Sequence, residues 1–260
     1  MRIITLLTDY GTRDYYVASL KGVILRIAPQ VSIVDVTHDI EPHDVAQGAF
    51  VLRQVWAWYP PDTIHVAVVD PGVGSQRRIL LGRYGGQYVI APDNGLITWL
   101  HRDFGPEALQ VVQNRDYFLP EVSSTFQGRD IIAPVAAHLA NGVHPREFGP
   151  ATDQVELLAT LAPAEATATG WRGRVVYVDR YGNLVTNIAG ERERPCAVLV
   201  GGALVGPLRA TFADVETGRP VAYVGSAGFV EIAIREGNAA KQFGPTDSLV
   251  IEIQYSPTPR

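Results

Sequence analysis

The sequence predicts a two-domain chain. Residues 1–165 form an α/β domain with a mostly parallel or mixed sheet, and residues 170–260 form a small all-β, barrel-like domain. Three observations carry this reading. Short β-branched runs alternate with helix-period segments through the first part of the chain, the pattern of a largely parallel sheet with covered faces. From Arg174 onward the apolar period switches to two. Between these stretches, Glu165–Thr169 is small and polar, the composition of a linker.

Taken in order, Ile3–Leu7 is a first buried strand closed by Thr8-Asp9-Tyr10-Gly11. Asp14 is placed to cap a helix with Val17, Leu20, Ile24 and Ile27 on one face. Val31–Val36 is a second strand. Asp44 is placed to cap a second helix carrying Val45, Ala49, Leu52, Val55, Trp56 and Tyr59, which Pro60-Pro61 stop. Ile64–Val69 is a third strand, a short and mostly apolar run rich in β-branched residues with no breaker inside it. Ile79–Leu81 and Gln87–Ile90 flank Gly85-Gly86 as a hairpin. Ser123–Asp130 is a polar loop before the helical stretch IIAPVAAHLA, where Pro134 sets the expected start and Asn141-Gly142 the end. In the second domain the strand-like runs are Arg174–Asp179, Leu184–Ile188, Ala197–Val200, Leu208–Thr211, Val221–Val224, Phe229–Ile234 and Leu249–Gln254.

Composition removes several functions. With 47% hydrophobic and 19% charged residues the chain has material for a core. A net charge of −5 with scattered Lys and Arg gives no footprint for nucleic acid. No apolar run approaches the roughly 20 residues of a membrane helix, and MRIITLLTDYG lacks the features of a secretory leader. The expected location is cytoplasmic. Cys196 stands alone, which leaves neither an internal disulfide nor a multi-cysteine zinc site.

The chain is organised around IHVAVVDPGVGSQR, residues 64–77. A buried strand ends there in the carboxylate Asp70, followed by a glycine turn that lets backbone approach a ligand. Arg77 adds a cation seven residues on. In open α/β sheets, ligands sit beyond such carboxyl ends. Asp9, Asp93, Asp130 and Asp179 are further acids at strand or turn ends, any one of which also suits a cap or turn. His38, His43, His65, His101, His138 and His144 form no metal-binding pair, so no metal is expected and most are structural. DPGVG is not a dinucleotide fingerprint, and there is neither a phosphate-binding GxxxxGK[ST] loop nor a GxSxG elbow. What remains is a set of polar, glycine-framed loops suited to a small, polar, non-phosphate ligand.

In order along the chain stand TDYG, IVDVTHDI, VVDPGVGSQRR, APDNG, SSTFQGRDIIAP, DRYGNLVTNI and YVGSAGFVEIAIREGNAA. Together they resemble the S-adenosyl-methionine hydroxide adenosyltransferase family, which is related to the fluorinase and chlorinase, and the resemblance covers nearly the whole chain. It implies an N-terminal α/β domain, a C-terminal β-barrel and a homotrimer with the ligand between domains of neighbouring chains. S-adenosyl-methionine is then the substrate, no cofactor is needed, and water or hydroxide displaces methionine from ribose C5′ to give adenosine. Under the resemblance Asp9 holds the ribose diol, and Asp70 and Arg77 are the charged members of the group that holds the water. The halogenases carry an aromatic residue where this chain has Asp70, and a carboxylate there repels halide. Phe126 and Gly128 line the nucleophile pocket. Asp179 and Ser226 hold the methionine end, Tyr181 and Asn183 read adenine, and Glu231 is a further substrate contact.

One position departs from the pattern. The family's hydrolases usually read STFHGRD, and this chain has Gln127 in place of that histidine. An amide donates to and accepts from water but takes no proton near neutral pH. The expectation is retained but reduced hydrolysis. The alternatives are an adenosine or S-adenosyl-methionine sensor with little turnover and, less favoured, a halide transferase.

Overall fold

The computed structural model describes residues 2–191, 196–246 and 248–255. The chain divides into two compact units, residues 1–160 and 161–260.

The first unit is built on β1 (Ile3–Thr8), α1 (Tyr16–Ile27), β2 (Ser32–Thr37), α2 (Val45–Trp56), β3 (Ile64–Val68), β4 (Ile79–Tyr84), β5 (Gln87–Pro92), α3 (Thr98–Phe104), β6 (Ala108–Val111) and α4 (Ala133–Ala140). The sheet order is β2-β1-β3-β5-β4-β6. Strands β2, β1, β3 and β5 run parallel, whereas β4 is antiparallel to both β5 and β6. The sheet is therefore mixed, with the expected hairpin at Gly85-Gly86. Ile4, Leu6, Ile64, Val66 and Val68 point to one face and share a buried core with Leu20 and Ile24 of α1 and Val135 and Leu139 of α4. The other face meets α2: Trp56 stacks on His65 at 4.4 Å. The central strands β1, β3 and β5 bury side chains on both faces, as parallel sheets do, whereas the edge strand β2 is only partly covered.

Register places the functional loops. Thr8 is paired with Val68. Asp9 thus lies one residue, and Asp70 two residues, beyond a paired position on adjacent parallel strands. Both carboxylates leave the sheet at the same edge.

Several local expectations change. Helix α1 starts at Tyr16, and its cap residue is Tyr15, without a side-chain cap; Asp14 does not cap it. Asp44 does cap α2, accepting from Gln47 N at 2.8 Å. The segment before α4 begins earlier than Pro134 requires. Residues Gly128–Ile132 form a π-helical turn in which Ala133 N bonds Gly128 O. Pro134 fits because it falls in the first turn of α4, where its missing N–H costs nothing. Among the described residues, no helix is long and apolar enough to cross a membrane.

The second unit contains β7 (Glu165–Ala166), β8 (Gly170–Val178), β9 (Leu184–Ala189), β10 (Cys196–Val200), β11 (Ala203–Gly206), β12 (Leu208–Arg209), β13 (Pro220–Val224), β14 (Phe229–Ile234), α5 (Ala239–Phe243) and β15 (Val250–Tyr255). The sheet order is β11-β10-β15-β8-β9-β14-β13-β12, with β7 on β8. Strand β11 also touches β13, so the sheet curls into a nearly closed barrel around Leu184, Ile188, Val198, Val230, Ile232, Ile251 and Ile253. Glu165–Ala166 is not free linker, since it pairs with Trp171 and Arg172. The expected strand over Leu208–Thr211 is only two residues long, because Thr211 instead opens a capping box with Asp214.

Candidate active site

In the first unit Asp9, Asp70, Gln127 and Gly128 line one cavity of about 260 Å³, together with Tyr10, Tyr16, Pro42, His43, Val68, Val73 and Thr125. Arg77 binds the Asp70 carboxylate through Nε, at 2.8 Å from each oxygen, and through Nη2. Nη2 also donates to Gln127 Oε1 at 2.7 Å. The Asp70 and Arg77 side chains are only 5% and 9% exposed. Such a pair offsets its desolvation only through good geometry and further hydrogen bonds, and the forked contact and Gln127 supply both.

This arrangement fixes the amide. A guanidinium has donors only, so Gln127 must turn its oxygen toward Arg77. Its NH2 group is left as the functional end. The cavity wall thus offers a carboxylate that accepts and an amide that donates, suited to holding one water.

Two glycines bring the loops together. Gly74 sits at φ 81°, and a Cβ there would come within 2.7 Å of Ser124 O, so the Asp70–Arg77 loop rests directly on the 123–130 loop. At Gly128 a Cβ would stand 2.6 Å from Tyr10 Oη. The 123–130 loop is held by Asp130, which is fully buried and accepts from Ser123 N at 2.8 Å and from Arg129 Nε at 2.6 Å. Asp130 is therefore a loop anchor rather than a helix cap. Phe126 stands behind the cavity wall, packed edge-on against Tyr10 and Tyr16 at 5.9 and 5.1 Å. Asp93 also has a structural role, paired with Arg78 and accepting from Glu156 N.

Asp9 faces the same cavity from the end of β1. Its Oδ2 accepts from His43 N at 3.0 Å. His43 adopts φ 72°, a costly conformation for a non-glycine residue and one that recurs at functional sites. The sequence rated most of the six histidines as structural without singling out His43, and the strain was invisible there. Tyr10 and Tyr16 were likewise missed. The only signal for Tyr10 was its place beside Asp9 in TDYG.

In the second unit the loop from β8 to β9 is built on Asp179. Its Oδ1 accepts from Tyr181 N and Asn183 N, both at 2.9 Å, and its Oδ2 from Asn183 Nδ2 at 2.7 Å. Asn183 is thereby oriented with its own oxygen left to accept. Tyr181 is 75% exposed. Both line a cavity of about 820 Å³ with Phe212, Arg235 and Asn238, which the sequence had not singled out. Glu231 accepts from Tyr223 Oη at 2.6 Å. Burial, then the Asp179 charge, raise its pKa despite that hydrogen bond. Ser226 is exposed on the β13–β14 turn, beside Gly225, whose missing Cβ makes room for the Glu231 carboxylate. The five predicted residues of this unit thus gather around one loop and the neighbouring turn.

Among the described residues no group of three or more His, Cys, Asp or Glu could hold a metal ion. Fold and cavities together define a small-molecule protein with its polar groups on loops of an α/β unit and a β-barrel unit. Two family models match the chain: the SAM hydroxide adenosyltransferase N-terminal domain over residues 4–149, and the corresponding C-terminal domain over residues 173–248. The chain belongs to the SAM hydroxide adenosyltransferase family. It is 37% identical to the (R)-S-adenosyl-L-methionine hydrolase of Thermus thermophilus, over 97% of this chain and all of that one. A fluorinase of Actinoplanes sp. is 32% identical over 96% of this chain and 97% of its own. An uncharacterized conserved protein of Thermotoga maritima has a solved structure that superposes with a TM-score of 0.88 at 35% identity, covering 96% of this chain and 99% of that one.

Proposed function

We propose that the protein hydrolyses S-adenosyl-L-methionine to adenosine and L-methionine. The observation that carries this is the Asp70–Arg77–Gln127 constellation in the wall of a cavity that Asp9 also lines. Asp9 takes the ribose diol, since a carboxylate accepts from two adjacent hydroxyls. Asp70 and the Gln127 amide hold a water in line with C5′. The oxygen attacks, the C5′–S bond breaks, and sulfur keeps the electron pair as a neutral thioether. The new oxonium is a strong acid and gives its proton to the Asp70 carboxylate and then to solvent. A sulfonium leaves without acid assistance, so the protein's contribution is alignment and removal of bulk water. The higher identity to a hydrolase than to a fluorinase supports water as nucleophile, and so does the negative charge of Asp70, which repels halide.

In this reading Tyr181 stacks on adenine and Asn183 hydrogen-bonds it. Asp179 and Ser226 hold the methionine end, and Glu231 sits beside them. The two half-sites lie on different units, and the reading extends to a cytoplasmic homotrimer whose sites form between one copy's α/β domain and a neighbour's barrel. No cofactor takes part. Incubation with S-adenosyl-L-methionine and chromatography of the products tests the reaction. Stoichiometric adenosine and methionine support it, and intact substrate after long incubation overturns it in favour of a binding protein. Co-expression of an Asp70→Asn chain with an Asn183→Ala chain tests the assembly. Sites shared between copies recover up to about a quarter of wild-type activity by random mixing, and sites within one chain recover none.

The second reading, a sensor that binds without efficient turnover, rests on Gln127 alone. The same chromatography decides between the two.

A further inference from the structure

Tyr10 is a half-buried titratable group that the reaction above leaves without a task. Its ring is wedged between Tyr16, 5.8 Å away, and the edge of Phe126 at 5.9 Å. It lines the same cavity as Asp9, Asp70, Gln127 and Gly128. Its hydroxyl lies directly over Gly128, where any side chain would meet it at 2.6 Å. A glycine next to Gln127 is therefore what admits this hydroxyl to the nucleophile end of the cavity. Burial, reinforced by the charges of Asp9 and Asp70, raises the phenol far above its ordinary pKa despite Arg77. It stays an O–H group across the whole neutral range.

Arg77 can only donate, and the Gln127 amide, with its oxygen turned to Arg77, can only donate as well. The attacking water has two protons to give and two lone pairs, one of which must face C5′. The amide fills the other lone pair, and Asp70 accepts one proton. The second proton has no acceptor among these three residues. We propose that the Tyr10 hydroxyl is a further catalytic group that accepts this second hydrogen bond and points the free lone pair of the water at C5′. The phenol O–H bond neither breaks nor ionises; Tyr10 orients and Asp70 takes the proton. This assignment rests on the hydrolase reading given above.

The test is Tyr10→Phe, which keeps the ring and its packing and removes only the oxygen. The expected result is a fall in kcat of roughly 10-fold, the scale of one lost neutral hydrogen bond, with KM changed less than about twofold and an unchanged thermal midpoint. A purely structural tyrosine predicts wild-type kcat, because phenylalanine fills the same space. Gly128→Ala is measured in both backgrounds. If Gly128 exists to admit the hydroxyl, the alanine costs kcat in the wild type and much less in Tyr10→Phe. A kcat for Tyr10→Phe within twofold of wild type overturns the assignment, as do fully additive losses. Wild-type turnover is assayed alongside. Absent adenosine from the wild type overturns both this assignment and the hydrolase reading, whereas active wild type with equally active Tyr10→Phe overturns this assignment alone.

Discussion

Arg77 turns the side-chain oxygen of Gln127 toward itself, 2.7 Å from Nη2, and so decides which end of the amide faces the cavity. The consequence is a donor where the family's hydrolases carry a histidine. Histidine keeps the same polarity when one ring nitrogen accepts from Arg77 and the other presents N–H. What it adds is a second tautomer, in which a bare ring nitrogen faces the water and can take its proton, the unperturbed ring titrating near pH 6.5. Gln127→His is expected to raise the rate of adenosine release by roughly 100-fold, the lower end of general-base effects, and to introduce a pH dependence near neutrality. An unchanged or slower rate would remove Gln127 from the nucleophile site.

The ion pair itself makes a stability prediction. With Asp70 only 5% exposed, Arg77→Met leaves a buried carboxylate without its counter-charge. Breaking one side of such a pair costs about 3 kcal/mol or more, while replacing both partners by apolar residues costs far less. Urea unfolding is expected to show a large loss for Arg77→Met and partial recovery in Asp70→Leu combined with Arg77→Met. Equal losses in the two variants would mean that the pair contributes only packing.

The loops that reach the site were legible in the sequence where a strand pattern met a breaker. Asp9 and Asp70 close apolar runs, and parallel pairing of β1 with β3 then places them at one edge. The mixed sheet and most of the barrel strands followed from periodicity in the same way. The misses have physical causes. Strand β11 was missed because it is a short, exposed return after Gly201-Gly202, without alternating burial. Helix α3 has too few turns to show a period, and α5 is shorter still. Tyr10, Tyr16 and His43 enter the cavity through ring packing and an unusual φ, neither of which a single sequence encodes visibly.

Tyr181 offers a cleaner separation of binding from folding. It is 75% exposed and its side chain supports no core. Its backbone N–H, which any substitution but proline retains, is what Asp179 uses. Tyr181→Ala is expected to weaken adenosine binding roughly 5- to 10-fold, the low end of a lost base–aromatic stack, with an unchanged melting temperature. Calorimetric titration with adenosine checks it, and unaltered affinity would place adenine elsewhere.

His65 on β3 contributes to the acid limb of stability. His65 is fully buried between Thr5 Oγ1, 2.8 Å from Nδ1, and Gln87 Oε1, 2.9 Å from Nε2. Gln87 spends its amide nitrogen on Trp56 O at 3.0 Å, so its oxygen must accept. His65 therefore carries its proton on Nε2 and accepts from Thr5 at Nδ1, a neutral ring fully satisfied. Burial lowers its pKa to about 4, only partly opposed by the Gln87 hydrogen bond. In the unfolded chain the ring titrates near 6.5. Above that value both states are neutral and the full stability is present. As pH falls from about 6.5 to about 4 the unfolded chain binds a proton that the folded protein refuses, and stability drops by about 3 kcal/mol across this window. His65→Gln removes the titrating group, so its unfolding free energy should fall less between pH 7 and 4.5 than that of the wild type. Parallel pH dependences in the two proteins would show that other groups govern acid unfolding.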